Sequence, residues 1–413
     1  MGLTRPGLRV LACLALAFVI SMFYRGANGV IAPELMAELH IDPATMGAIT
    51  GAFFFTFAVA LTPVGMALDR FGARLTVSAL SVVAVAGTVI FATSSTPLWL
   101  GVGRAVLGLG CAASLMASIT TMSRWTTNDR LAQVGGVISA LGAVGALLAT
   151  APFAWLVGAI GWRNAFFVLA GVGALIGILV FVGVRDTPDG QRLESSHETP
   201  RQILTGVLEV LRHKAVPGMI ALQLVAYPSV LTITGLWGGP YLNDVFGLGP
   251  VARGNVLLVM IAVGALGSLV IGSLDRRFNT RKGVIIGCGL VSLVALIPLS
   301  LFSHLSLAVA AALLVLMGCT TGYVTLIHTH IRSLYPDRLA GRGLSTLNTA
   351  VMMGGFLLQT ATGFIIGHYR DANGIAPAIA YQLTFAFIGL CLALGLLIYW
   401  RRVPDVPPHP HRQ

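Results

Sequence analysis

Apolar stretches of about 20 residues recur from one end of this 413-residue chain to the other, and about 20 residues of helix is what it takes to cross the hydrocarbon core of a bilayer. No other feature limits the fold as tightly. A lipid-embedded segment must satisfy every backbone N–H and C=O internally, which such stretches achieve as helices. Charged residues make up only 10% of the chain, against about 25% in soluble domains. The fold class expected is therefore an all-α, polytopic membrane protein.

Hydropathy together with turn and charge punctuation predicts spans near residues 8–31, 44–68, 75–93, 98–122, 131–157 and 164–184, and again near 216–240, 252–274, 283–302, 305–331, 342–367 and 378–400. The basic start (Arg5, Arg9) and the apolar run Val10 to Phe23 resemble a secretory signal. No small-x-small cleavage site ends that run, so a retained first span is expected.

The formal charge of +11 raises the question of a nucleic-acid partner, which the positions of the 26 Lys and Arg answer. With both termini in the cytoplasm, only Arg163, Arg253 and Arg370 fall outside and only Arg25 and Arg104 inside spans; all the others are cytoplasmic. This lopsided split follows the positive-inside rule for an even number of spans and excludes a nucleic-acid-binding surface. The five cysteines all sit in apolar stretches without a Cys-x-x-Cys pair and read as packing residues.

Three regions follow: a first six-helix bundle (1–184), a cytoplasmic linker (185–214) and a second six-helix bundle with a short cytoplasmic tail (215–413). Gly, Pro and Ser near Thr187 to Ser196 mark a flexible connector. Arg201 to Lys214 places Ile203, Leu204, Val207, Leu208 and Leu211 on one helical face, a pattern for a helix lying on the inner membrane surface, or for an ordinary linker helix. The halves echo each other: Gly65, Arg70, Phe71 and Arg74 return 207 positions later as Gly272, Arg277, Phe278 and Arg281, and Gly110-Cys111 returns as Gly318-Cys319. Duplicated six-helix halves are a transporter architecture with the substrate site near the midplane.

The segment Gly65-Met-Ala-Leu-Asp69-Arg70-Phe71-Gly72-Ala-Arg74 resembles the cytoplasmic loop signature of the major facilitator superfamily. Arg104-x-x-x-Gly108-x-Gly110 is similar to that family's fourth-helix motif, and Gly161-Trp162-Arg163-x-x-Phe166 leads into the sixth span. The resemblance covers essentially the whole chain. It implies twelve transmembrane helices in two pseudo-symmetric bundles working by alternating access in a bacterial cytoplasmic (inner) membrane. It also implies a latch on the outward-open state, carried here by Asp69 and Arg70. Gly65 would let the second helix approach a neighbour closely, while Arg70 and Arg74 read equally well as topology anchors. In the second copy Asp275 is displaced by one residue and Asn279 replaces the glycine, so Asp275 and Arg277 complete the gating set only in part. The fifth span, Gly142-Ala-Val-Gly145 through Pro152, lacks the paired Gly-Pro of proton-driven drug exporters, which argues against export by antiport.

Arg25 and Arg104 are the sharpest sequence clues, because an Arg inside a span costs roughly 2.5–3.5 kcal/mol on insertion scales. No Asp or Glu falls inside a span by these boundaries. Each Arg lies six residues in from the external end of its span, at a depth of about 9 Å, so both are placed to face one cavity. A pair of guanidinium forks suits carboxylate or phosphate oxygens; the plainer readings are a structural motif for Arg104 and snorkelling to headgroups for Arg25. Tyr24 and Asn28 extend a polar stripe on the first span. On the seventh, Gln223, Tyr227 and Thr234 share a face by 100° spacing, beside a kink at Pro228. His328 and His330 are expected to be ordinary solvated histidines near the cytoplasmic end.

The function expected is a secondary active or facilitative transporter of a small anion such as a carboxylate, with substrate contacts from Arg25, Arg104, Tyr24, Asn28, Gln223 and Tyr227. The alternative is an exporter of hydrophobic compounds, with Met116, Met317, Phe54, Phe57 and Trp237 as a greasy lining. A third class, membrane enzyme or sensor, lacks clustered His, Asp or Glu in the spans. No catalytic residue, metal or cofactor is expected; the partners expected are the solute, a coupling ion (proton or sodium) and the bilayer. A nucleotide-driven pump would need a phosphate-binding Gly-x-x-x-x-Gly-Lys loop, which the sequence lacks.

Overall fold

The computed structural model describes residues 4–188, 200–335, 337–369 and 377–408, all helix or connection, with no strand among them. The flexible connector expected near Thr187 to Ser196 falls, from residue 189 on, outside the described residues, as does Arg370. In chain order the helices are α1 (Arg5–Gly26), α2 (Asn28–Glu38), α3 (Pro43–Thr93), α4 (Pro97–Cys111), α5 (Ser114–Trp125), α6 (Asn128–Leu148), α7 (Ala151–Ile160) and α8 (Trp162–Gly183). After the linker come α9 (Pro200–Leu211), α10 (Val216–Gln223), α11 (Ala226–Thr232), α12 (Gly238–Phe246), α13 (Pro250–Phe278), α14 (Arg281–Leu301), α15 (Leu307–Cys319), α16 (Tyr323–Leu334), α17 (Asp337–His368) and α18 (Ala378–Arg402).

By length and composition, ten helical runs among the described residues can cross a membrane, or eleven if two helices bent by 40° between Leu148 and Ala151 form one span. Pro43–Thr93, which the sequence pattern divides in two, is one of these runs although its 51 residues are more than twice the crossing length. The division is visible in the backbone: Gly72 (φ 79, ψ 171) is the non-helical residue inside the run, a conformation that glycine adopts without a Cβ penalty. Asn279, 207 residues on, ends α13 in the left-handed region (φ 48), which Asn tolerates better than other residues with a Cβ. The second copy therefore breaks its helix at the equivalent station without the glycine.

Outer surfaces stay apolar, with Leu269, Val182 and Val82 exposed by 77%, 70% and 69%. Water would not tolerate so much exposed aliphatic surface, and lipid requires it. The chain divides into two compact units, Met1–Ile41 with Ile49–His197, and Asp42–Ala48 with Glu198–Gln413.

Within the first unit, close backbone approaches fix the packing. A Cβ on Gly108 would come within 2.1 Å of the Phe53 carbonyl oxygen, so α4 lies against the first part of α3 at van der Waals limit. Gly145 meets the Val19 carbonyl in the same way, which makes the fifth-span glycines a seat for α1. Gly65 differs from the expectation: an added Cβ would meet Met116 Sδ at an ordinary 3.5 Å, so no backbone is pressed against it here.

Each unit carries a carboxylate tie at either end of its sixth helix. At the start of α8, Glu38 accepts the Trp162 indole N–H (2.6 Å) and the Arg163 guanidinium, which also reaches the Ser94 carbonyl. At the start of α18, Tyr381 donates to Asp244 (2.6 Å), 206 residues after Glu38. Asn243 donates to the same Asp244 and accepts from the buried Arg253 at 2.9 Å. At the other ends, Asp186 follows α8 and accepts the Arg74 backbone N–H, while Asp405 follows α18 and accepts the N–H groups of Arg281 and Lys282.

Along the linker helix α9, Gly206 and Val210 are buried; of the expected apolar face, the side chains of Ile203, Leu204 and Val207 lie outside the described residues. Val210 offers its carbonyl to the Tyr335 hydroxyl, and Gly206 lies against Arg342 of α17. Leu208 and Leu211 stay 45% and 40% exposed, so the helix has two differently used sides.

Candidate functional site

The two intramembrane arginines are neighbours in the first unit. Arg104, on α4, is wholly inaccessible, and its Nη1 donates to the Tyr24 carbonyl at 2.9 Å, one residue before Arg25. Its guanidinium carbon stands 4.8 Å over the Phe53 ring, and that of Arg25 stands 4.7 Å over the Phe57 ring. Phe53 and Phe57 are four residues apart on α3, hence on one helical face, with ring centroids 6.1 Å apart. Two cations thus rest on successive rungs of one aromatic ladder, an arrangement worth about 2 kcal/mol or more per contact when desolvated.

The closeness of α4 to α3 at Gly108 holds Arg104 at this height, since Gly108 lies one turn further along the same helix. Arg104 Nε and Nη2 are buried donors without a hydrogen-bond acceptor, an expensive condition for a charged group. Arg25 is 7% exposed and is the more accessible of the two. Asn28 completes the group: its Nδ2 donates to Thr50 at 3.0 Å, while its Oδ1 is buried without a donor. Tyr24 contributes its backbone carbonyl; its hydroxyl points away, donating to the Leu169 carbonyl and lying 3.1 Å from Thr88 Oγ1.

In the second unit the seventh span is interrupted rather than simply kinked at Pro228. Leu224 and Val225 separate α10 from α11, and Ile233–Trp237 forms a π-helical turn before α12. Ideal 100° spacing does not survive these interruptions, and Thr234 turns its hydroxyl back onto the Val230 carbonyl. Gln223 is fully buried, with Nε2 3.2 Å from His328 Nε2 and Oε1 without a donor. Tyr227 is half-buried on α11. The solvated histidines expected on the tenth span are corrected: His328 faces Gln223, and His330 is fully buried with Nδ1 2.7 Å from the Tyr399 hydroxyl. Partners from two other helices, Gln223 on α10 and Tyr399 on α18, thus take up the imidazoles that the sequence pattern leaves to water.

Two polar residues went unnoticed in the sequence. Gln359 on α17 is fully buried with neither amide atom hydrogen-bonded, and Thr232, 207 residues on from Arg25, has a buried hydroxyl in the same condition. One turn from Gln359, Thr362 accepts the Trp237 indole N–H at 2.8 Å, which turns that side of α17 toward the π turn. The available signal was a Gln inside a predicted span, directly after the apolar run from Ala350 to Leu358, the kind of signal that singled out Gln223.

The loop residues are placed as follows. Asp69 and Arg70 are exposed, with the Arg70 guanidinium 5.3 Å over the Phe71 ring. Arg74 donates Nε–H to the Phe181 carbonyl at 2.7 Å and stacks on that ring. Asp275 is buried at 3.5 Å from Arg281, and Arg277 is exposed. Among the described residues, no group of three or more His, Cys, Asp or Glu is arranged to hold a metal ion, and the cysteines are free thiols.

The chain is 22% identical over 408 residues to a probable sulfoacetate transporter of Cupriavidus necator, covering 94% of this chain and 92% of the relative. It is 24% identical to a D-galactonate transporter of Escherichia coli, covering 93% and 95%. It is 23% identical to a putative multidrug resistance protein of Pectobacterium atrosepticum, covering 90% and 91%. A bacterial homolog of the human lysosomal transporter Spinster, solved in an inward-facing, unoccupied conformation, shares the fold with a TM-score of 0.79 at 18% identity over 97% of this chain and 98% of that one. The sequence profile of the Major Facilitator Superfamily matches residues 14–359 and 240–413. The chain belongs to the Major Facilitator Superfamily and is an all-helical, integral membrane transport protein.

Proposed function

We propose that this transporter carries a small organic anion, a carboxylate or sulfonate, by alternating access between two six-helix bundles. The observation that carries the reading is Arg104: a buried guanidinium with two N–H groups unanswered among the described residues. A bound oxyanion answers both, since the Nε and Nη2 edge is the bidentate face of the guanidinium. Two relatives named for sulfoacetate and D-galactonate transport support that chemistry. Arg25, at the accessible side of the aromatic ladder, receives the anion first; the sealed Arg104 edge must open in another conformation of the cycle. Asn28 adds a neutral hydrogen bond within the first unit, and Gln223, Tyr227, Thr232 and Gln359 are the candidate polar contacts of the second unit.

The coupling ion is a proton or sodium, with Asp69 and Arg70 as the latch of one conformation and Asp275 with Arg277 as its weaker copy. The membrane in this reading is the bacterial inner membrane, with both termini in the cytoplasm, an orientation that the Lys and Arg distribution supports. The multidrug-type relative sustains a second reading, efflux of hydrophobic compounds.

Uptake of labelled galactonate and sulfoacetate into proteoliposomes, compared with dye efflux, separates the two. Under the anion reading Arg104→Lys lowers uptake at least tenfold, because the ammonium group lacks the bidentate edge. Dye efflux lost on Arg25→Ala, with no anion taken up under any pH or sodium gradient, would overturn it.

A further inference from the structure

Away from the arginines, the first unit has a groove on its outer face between the second part of α3 and α8. It encloses about 480 Å³ and is lined by Leu75, Ala79, Val82, Val85, Gly177 and Phe181, among others. Its few polar groups are already used: Ser78 donates to the Gly177 carbonyl and Ser81 to the Val77 carbonyl. The walls are lipid-facing, with Val82 69% and Ile178 61% exposed. Small side chains make the depression, and Gly177 lets Ser81 lie so close that an added Cβ would sit 2.9 Å from it.

From Leu75 to Val85 the groove follows α3 for about 15 Å, half of the roughly 30 Å hydrocarbon core. It is one leaflet deep. Its lower end is the helix terminus where Arg74 stacks on Phe181 and bonds the Phe181 carbonyl. There Arg9 bonds the Gly183 carbonyl at 3.1 Å, and Arg185 follows directly; all three arginines are exposed. The acid at this end, Asp186, is already engaged by the Arg74 N–H and seated against Gly72. An apolar slot one leaflet long, ending in a cluster of exposed guanidinium groups, matches one molecule with an acyl chain and an anionic headgroup.

The geometry points to a specific lipid site: one acyl chain of an anionic phospholipid lies between α3 and α8, and its phosphate rests against Arg74, with Arg9 and Arg185 adding positive field. Its occupant would stiffen the packing of α8 against α3 next to the Gly72 turn. The site is independent of which solute the protein carries.

The full chain, reconstituted into vesicles of equal phosphatidylglycerol and phosphatidylcholine and then extracted for native mass spectrometry, tests this by the lipids retained. Wild type should hold one phosphatidylglycerol in clear preference. Ala79→Trp, which fills the groove from an exposed position, should hold neither lipid. Arg74→Gln and Arg185→Gln should each lower the preference for phosphatidylglycerol about fivefold, with thermal melting confirming that each variant is folded. Retention in the vesicle ratio, or the same retention in wild type and Ala79→Trp, overturns the site. So does a protein dimer that Ala79→Trp dissolves, since the groove would then receive a second copy of the chain.

Discussion

Asp405 lies across the start of α14 from Thr280, accepting its hydroxyl and the N–H groups of the next two residues. Thr280 in turn accepts the Gly283 N–H, so two side chains share the orphan donors of one helix start. Burial alone would raise the Asp405 carboxyl, but the Thr280 hydroxyl, the two backbone N–H groups and the nearby His330 together hold it below the ordinary carboxylate value. A carboxyl depressed in the folded state stabilises the fold above its unfolded pKa of about 3.9 and loses that contribution as pH falls through the folded value. Asp405→Asn should therefore lower the melting temperature at pH 7 and narrow its difference from wild type below about pH 4. Replacement by Ala should cost about 1 kcal/mol, the usual loss for a helix cap.

The hydrogen bonds from Arg163 and Trp162 hold the Glu38 carboxyl below its usual value. Since Glu38 is largely exposed, its ion pair with Arg163 should be worth no more than about 1 kcal/mol and should fade in 1 M salt. Melting curves of Glu38→Gln at low and high salt check this, with the Trp162 hydrogen bond expected to persist.

The corresponding tie in the second unit is more deeply buried. Asn243→Leu removes the acceptor 2.9 Å from Arg253 Nη1, and Arg253 is only 1% exposed. Hydrogen bonds to charged groups contribute about 1.5–3 kcal/mol. The expected loss in stability is of that order, larger than for Glu38→Gln, and a thermal-shift comparison of the two variants ranks them.

Gly108→Ala should be the most damaging single methyl in the first unit. Its Cβ would lie 2.1 Å from the Phe53 carbonyl oxygen, on the backbone of α3, where no rotamer change can relieve it. Overpacking of this kind typically costs 1–3 kcal/mol. It would also lift Arg104 from the Phe53 ring, so anion uptake should fall even in the fraction that folds, as a transport assay normalised to folded protein would measure.

The all-helical membrane fold was legible because lipid imposes a simple code, apolar length for a span. Arg25 and Arg104 were placed at equal depth by counting along two helices, and their guanidinium groups rest on Phe57 and Phe53 of α3. Detailed packing was less legible. The face shared by Gln223 and Thr234 was inferred from an unbroken helix, and a π turn shifts phase by a residue that no local propensity announces. His328 and His330 read as solvated because their partners, Gln223 and Tyr399, are 105 and 69 residues away. A repeat did go unread: Val184-x-Asp186-x-Pro188 recurs as Val403-x-Asp405-x-Pro407, the two carboxylates that hold the third helix of each half.

The 51-residue run of α3 has Gly72 as its single non-helical residue, with the Asp186 carboxylate seated where a side chain would be. A hairpin without slack works as a crank. The rod before Gly72 carries Phe53 and Phe57 beneath the arginines, and the rod after it forms a wall of the outer groove. A piston-like slide of the first rod must drag the second, so strain arising at the guanidinium pair would be felt at the lipid boundary through one stiff elbow.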